Sequence, residues 1–296
     1  MVNVRPKKRL GQYFLSDEHV LRDILSVAEL NPTDVVVEVG PGLGILTKEL
    51  AKQAAKVIAV EIDARLVSIL TKKLSSFPNV KIVHGDILKI SPEQLLEAAR
   101  EFLLHNAGRG LKTCPGSLQS YKVVANLPYY ITSPVLRHFL GASAKPSMMV
   151  VMVQKEVGEA IVAASGKMSL LSLNVQFYGK PIITAYVSAD SFSPRPRVDS
   201  VILRINVYPK PPVEVSDVAS FFHTISCGFS SRRKQLRNSL AQALKMPPDE
   251  VTLLLEKAGV EAKRRAETLN LEEWKKIWET FAPFTKAENV NHLRAS

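Results

Sequence analysis

The sequence predicts an α/β domain built on a mostly parallel sheet, followed by a small all-helical domain. Three observations carry this. Short apolar runs closed by glycine or an acid alternate with segments whose apolar residues recur at helical spacing, the pattern of βαβ units. A proline-rich stretch, YPKPPV at 208–213, interrupts that alternation, and beyond it only helical periodicity remains. With 46% hydrophobic and 23% charged residues in 296, composition is ordinary for a globular protein and the length suffices to bury a core. We expect one domain over residues 1–208 and a second over 209–296, with right-handed crossovers putting helices on both faces of the sheet.

Taken in order, DVVVEVG at 34–40 reads as a buried parallel strand, and 42–53 as a helix with Leu43, Leu46 and Leu50 on one side. KVIAVE at 56–61 is a second buried strand, 64–74 a second helix, and 80–84 a third strand closed by Gly85-Asp86. A helix over 92–104 leads into an aperiodic, glycine-containing stretch at 105–120, expected to be an exposed loop. Residues 121–126 and 147–154 are a fourth and fifth strand; 184–188 and 200–207 suit an antiparallel pair at the sheet edge. Three apolar sets mark the helical domain: Phe221, Phe222, Ile225 and Phe229; Leu236, Leu240 and Leu244; and Leu271, Trp274, Ile277, Trp278 and Phe281.

Cys114 and Cys227 are far apart with no CxxC pair, and the six histidines are scattered singly, so neither a disulfide framework nor a metal site is expected. The longest strongly apolar run, 148–153, is far short of a membrane span, and no apolar stretch follows the basic N-terminal cluster of Arg5, Lys7, Lys8 and Arg9. The sequence therefore reads as soluble and cytoplasmic, with no membrane partner. Lys plus Arg number 39 against 28 acids, a formal net charge of +11, which makes a polyanion the first partner to consider. A second basic cluster is Arg232, Arg233, Lys234 and Arg237. On a helix, Arg233 and Arg237 share a face at i, i+4 beside the stripe of Leu236 and Leu240, a ridge suited to phosphates; a merely solvated charged face is the alternative.

Gly40-Pro41-Gly42-Leu43-Gly44 joins the first strand to its helix. It is GxGxG, not the GxGxxG of dinucleotide folds, and it lets backbone approach a ligand at a helix N-terminus. Glu38 sits just before it, Glu61 ends the second strand where an acid grips ribose hydroxyls, and Asp86 ends the third, where it could accept from an adenine amino group. Acids on three successive strands, with no Lys or Arg in the loop, suit a cationic ligand without phosphate. They favour S-adenosylmethionine over NAD, the alternative being ordinary strand-end acids.

Asn126-Leu127-Pro128-Tyr129 ends the fourth strand, at the carboxyl edge where open α/β sheets bind ligands. An exocyclic amine is a poor nucleophile because its lone pair is delocalised into the ring. The Asn126 side-chain oxygen and the Leu127 carbonyl could accept its N–H groups and favour a tetrahedral nitrogen, while Tyr129 stacks on the base and supports the developing charge. A strand-end turn with a buried tyrosine is the alternative.

At these residues the chain resembles the ribosomal RNA small-subunit adenine N6,N6-dimethyltransferase family. The motifs occur in order: KKRLGQYFL (7–15), EVGPGLGILT (38–47), EID (61–63), GDIL (85–88), NLPYYITSP (126–134), FSPRPRVDS (192–200), SRRKQLRNSL (231–240) and RAETLNLEE (265–273). The resemblance implies a Rossmann-like methyltransferase domain with a small helical RNA-binding domain. It also implies an enzyme that uses S-adenosylmethionine to put two methyl groups on N6 of each of two adjacent adenosines near the 3′ end of small-subunit rRNA; the immature small subunit is the expected partner and a monomer the expected form. By position it assigns Tyr13, Leu15, Gly40, Gly42, Glu61, Asp86 and Asn126 to the cofactor. Many relatives carry Asn or His where this chain has Tyr13. The resemblance further suggests that Phe192, ahead of the stiff Ser193-Pro194-Arg195-Pro196 segment, is the second face of an aromatic sandwich around a flipped adenine; a core position is the alternative. A large-subunit rRNA adenine methyltransferase of the resistance type and a catalytically silent RNA-binding factor on the same fold are the competing functions.

Overall fold

The computed structural model describes residues 6–7, 10–106, 120–231 and 233–285. Most of the 105–120 stretch lies outside them. The chain divides into two compact units, Met1–Glu159 with Tyr178–Pro209, and Ala160–Phe177 with Lys210–Ser296.

The first unit opens with a two-residue strand β1 (Phe14–Leu15) and helix α1 (Glu18–Ala28). There follow β2 (Val35–Val39), α2 (Ile45–Gln53), β3 (Lys56–Glu61), α3 (Ala64–Lys73), β4 (Val80–His84), α4 (Pro92–Asn106), β5 (Lys122–Asn126), α5 (Thr132–Leu140) and β6 (Met148–Gln154). After α6 (Lys155–Ile161) and α7 (Leu170–Tyr178) come β7 (Gly179–Val187), the short β8 (Phe192–Ser193) and β9 (Ser200–Val207), of which β7 and β9 complete the main sheet. The strand order is β4-β3-β2-β5-β6-β9-β7. The first five strands pair in parallel, β9 runs antiparallel to both β6 and β7, and β7 is the edge. This is a doubly wound α/β sheet with an antiparallel end, as the alternation of runs predicts.

The central strands form where they do because every residue of β2 and β3 is buried, so each run is continuously apolar apart from Glu38, Glu61 and Lys56. Burying a valine such as Val37 fully is worth about 1.5–3 kcal/mol. α1 has no counterpart among the elements expected from the sequence. It is capped by Asp17, whose carboxylate accepts from the His19 N–H at 2.8 Å, and it buries Val20, Leu21, Ile24 and Ala28.

The second unit holds α7 except for its last residue, together with α8 (Val218–Gly228), α9 (Leu236–Leu244), α10 (Pro248–Lys257) and α11 (Leu271–Thr285). Leu236, Leu240, Trp274, Ile277, Phe281 and Phe221 are fully buried, so the three apolar stripes are the core of this unit. The expected boundary at 208/209 needs one correction: residues 160–177 belong to the helical unit. Phe177 packs against Phe221 and Phe222, with ring centroids 5.6 and 5.2 Å apart, and the Gly166 and Met168 N–H groups both donate to the Glu267 carbonyl. Contacts that distant in sequence leave no local periodic signal.

Candidate active site

A cleft of about 310 Å³ opens at the carboxyl ends of β2, β3 and β5, a size suited to a small molecule. Its floor is the glycine loop. Gly40, Gly42 and Gly44 have φ of 66°, 59° and 74°, in the left-handed region that side chains avoid. At Gly44 a Cβ would also lie 2.7 Å from Leu70 Cδ2, so this glycine is set by both backbone and packing. The helix anticipated over 42–53 starts only at Ile45 because these glycines form a turn ahead of it.

Two buried acids line the floor. Glu61 is 4% exposed; its Oε1 accepts from the Asp63 N–H at 2.9 Å and its Oε2 from the Gly42 N–H at 3.3 Å. Burial raises its pKa, and those backbone donors oppose the shift. Glu38 is 2% exposed and its Oε2 has no hydrogen-bond partner among the described residues. Burial pushes its carboxyl up to about 8, with Thr47 opposing and the Glu61 charge reinforcing. Asp86 lines the same cleft and spends one oxygen capping Ile87–Lys89, accepting from the Leu88 N–H at 3.1 Å. No lysine or arginine is in the lining among the described residues. An orphaned buried carboxyl oxygen in an acidic, cation-free cleft fits the ammonium and sulfonium of S-adenosylmethionine, and the ionised acids of such a cleft would repel a pyrophosphate.

The opposite wall comes from Asn126, Leu127, Tyr129 and Tyr130, together with an N-terminal strap. The strap is tethered at Asp63: Lys7 Nζ and Gln12 Nε2 both donate to this carboxylate, at 3.1 and 3.2 Å, beside the Arg65 ion pair at 2.7 Å. Those donors, Arg65 first, hold the Asp63 carboxyl well below the usual carboxylate range. The strap then meets both loops. A Cβ on Gly42 would come within 3.2 Å of the Phe14 ring, and a Cβ on Gly11 within 3.3 Å of Tyr130. Asn126 Nδ2 donates to the Tyr13 carbonyl at 3.3 Å, which turns its Oδ1 away as the acceptor. Tyr129 is half-buried, its hydroxyl 2.8 Å from Ser200 Oγ, and burial raises its pKa.

The cleft thus gathers Tyr13, Leu15, Gly40, Gly42, Glu61, Asp86, Asn126, Leu127 and Tyr129. Two expectations, on Phe192 and on a shared face of Arg233 and Arg237, need correction, and Tyr129 has an unexpected neighbour. Phe192 does not line the cleft: the antiparallel pairing of β1 and β8 sets it opposite Leu15, and it is 4% exposed in the apolar cluster with Val187 and Ile202. One face of Tyr129 is not open to a base, because the Tyr13 ring stacks on it. Arg233 and Arg237 do not share a helix face. Gln235 is extended (φ −63°, ψ 152°) and the helix starts at Leu236, whose N–H donates to Arg264 O, so Arg233 lies in the preceding turn. Arg233 and Lys234 are exposed, Arg237 is half-buried, and Arg232 lies outside the described residues. Asp63, Lys7 and Gln12, which tie the strap beside the cleft, are not among the residues expected from the sequence, although Asp63 ahead of a helical run carries a cap signature.

Comparison with known proteins agrees with this architecture. A family model described as ribosomal RNA adenine dimethylase matches residues 3–282. A protein of Dehalococcoides mccartyi named ribosomal RNA small subunit methyltransferase A is 48% identical over 274 residues, covering 93% of this chain and 88% of that protein. A protein of the same name from Moorella thermoacetica is 41% identical over 277 residues, covering 93% and 92%. Among solved structures, the 23S rRNA methyltransferase ErmE superposes with a TM-score of 0.66 at 27% identity, covering 91% of this chain and 99% of its own. A dimethyladenosine transferase from Plasmodium falciparum gives a TM-score of 0.72 at 23% identity, covering 92% and 98%, and shares the fold. With the family model spanning nearly its whole length, this chain belongs to the ribosomal RNA adenine dimethylase family.

Proposed function

We propose that this protein transfers methyl groups from S-adenosylmethionine to N6 of two adjacent adenosines near the 3′ end of small-subunit rRNA, dimethylating each, during subunit assembly. The observation that carries the reading is Asn126. Its Nδ2 is committed to the Tyr13 carbonyl, so its Oδ1 is available to accept from an amine at the end of β5, across from the acidic wall.

Each wall has its task. The Gly40–Gly44 backbone cradles the cofactor, Glu61 takes the ribose, Asp86 the adenine and Glu38 the cationic end, with Tyr13 and Leu15 closing over it from the strap. When bound, the cofactor supplies an electrophilic methyl group. Asn126 Oδ1 and the Leu127 carbonyl accept the target N–H groups and favour a tetrahedral nitrogen, and Tyr129 stabilises the positive charge that develops. The departing proton is acidic once the methyl has moved, so no strong base is required. Arg232, Arg233, Lys234 and Arg237 supply phosphate contacts from the helical unit.

The small-subunit target is favoured because the relatives at 48% and 41% identity carry that name over nearly the whole chain. The likeness to ErmE is the observation behind a large-subunit target, and it is the weaker of the two at 27%. We take the immature subunit as substrate, a monomer as the acting form and the cytoplasm as the site of action; among the described residues no helix is long and apolar enough to cross a membrane. The test is Asn126→Ala. Single-turnover methyl transfer should fall by roughly 100-fold or more, while RNA affinity changes far less. A wild-type rate would overturn the mechanism.

A further inference from the structure

The Tyr13 ring stacks on Tyr129 with centroids 5.5 Å apart and planes at 30°. The inference rests on the proposed function and on the expectation that Tyr129 stacks on the target adenine. We propose that Tyr13 is a placeholder for the target base: with no RNA bound it covers the receiving face of Tyr129, and the adenine takes that face by displacing it.

The two partners are held differently. The Tyr129 ring is fixed at its far end by the hydroxyl contact with Ser200, 2.8 Å away. The Tyr13 backbone is anchored without its ring, through the carbonyl held by Asn126 and through the next two residues, which pair with β8. The strap is tied further back by Lys7 and Gln12 at Asp63. Rotation about the Tyr13 side-chain bonds can therefore expose Tyr129 while the Asn126 contact stays in place. That coupling has a use. Asn126 Nδ2 remains committed, so its Oδ1 still points to the incoming amine during the exchange. It also bears on specificity, because a base must out-stack a phenol to enter, which disfavours weakly stacking pyrimidines.

The probe is an RNA hairpin carrying 2-aminopurine in place of one of two adjacent loop adenosines, with affinity and stacking read by its fluorescence. Tyr13→Leu keeps apolar bulk but loses the competing ring, and it should bind the hairpin roughly 2- to 10-fold more tightly than the unaltered protein. Tyr13→Phe keeps the ring and should match the unaltered protein. Equal or weaker binding by Tyr13→Leu, with fluorescence still quenched in a Tyr129-dependent way, would overturn the placeholder and leave the base-stacking reading standing. Quenching unchanged by Tyr129→Leu would show that the base does not use that ring, and both would fall together.

Discussion

The acidic wall and the aromatic wall of the cleft are built by different means. Glu38, the glycine loop and Glu61 sit on consecutive strand ends, and their contacts are short in sequence: Glu61 reaches Asp63 and Gly42, 2 and 19 positions away. The aromatic wall is assembled across the chain, with Asn126 bonded to Tyr13 over 113 positions and Tyr129 to Ser200 over 71. One wall is a local consequence of strand–turn–helix geometry. The other exists only once the domain has folded, and within it Tyr129 is assigned to the target base alone.

The sharpest break of that comparison is at Tyr129. Tyr129→Ala should lower the single-turnover rate by roughly 100-fold, the loss also expected of Asn126→Ala, with cofactor affinity measured by calorimetry little changed. Tyr129→Phe gives up the hydroxyl bond to Ser200 but keeps the aromatic face, and should retain much of the rate. A large loss of cofactor affinity in Tyr129→Ala would show that the walls are not separable.

On the acidic side, Glu61→Ala should weaken S-adenosylmethionine binding by about 1–3 kcal/mol, because it removes charged acceptors from the ribose. It also releases the Gly42 N–H, so a folded variant with unchanged affinity would contradict both roles.

Glu38 gives a pH signature. Buried against Thr47 and Glu61, it holds its proton up to about pH 8. A cation beside it favours the carboxylate, so binding should expel a proton at pH 7. Affinity should then rise with pH, by at most about tenfold per unit, and level off above pH 8. Titration calorimetry in buffers of different ionisation heat reads the released proton; none at pH 7 would remove Glu38 from the cationic end of the ligand.

Legibility in the sequence follows the same division. The buried strands are readable to within about a residue, because parallel strands covered on both faces leave continuous apolar runs closed by glycine or an acid. The acidic wall follows from those boundaries. Phe192 is not readable in this way, because its burial depends on the register of β1 with β8, which no local pattern encodes. Arg233 reads as helical because periodicity through Leu236 and Leu240 does not say where the first turn begins, and Gln235 makes no side-chain cap. The stack of Tyr13 on Tyr129 has no sequence signal, since neither tyrosine belongs to a periodic run.

The smallest expected effect concerns the helical unit. Arg233→Ala with Arg237→Ala should weaken RNA binding without changing cofactor affinity. The salt dependence should flatten by about 0.7–0.9 in log–log slope for each phosphate that the shortened side chains no longer neutralise. Arg233, exposed in its turn, should carry more of the change than half-buried Arg237. An unchanged slope would remove both from the interface.

The most direct measurement is transfer of labelled methyl groups from S-adenosylmethionine to immature small subunits, followed by mapping of the modified nucleotides. Label is expected only on two adjacent adenosines near the 3′ end of the small-subunit rRNA, two methyl groups on N6 of each. Label on large-subunit rRNA instead, or no transfer to either subunit by the folded protein, would contradict the proposed function.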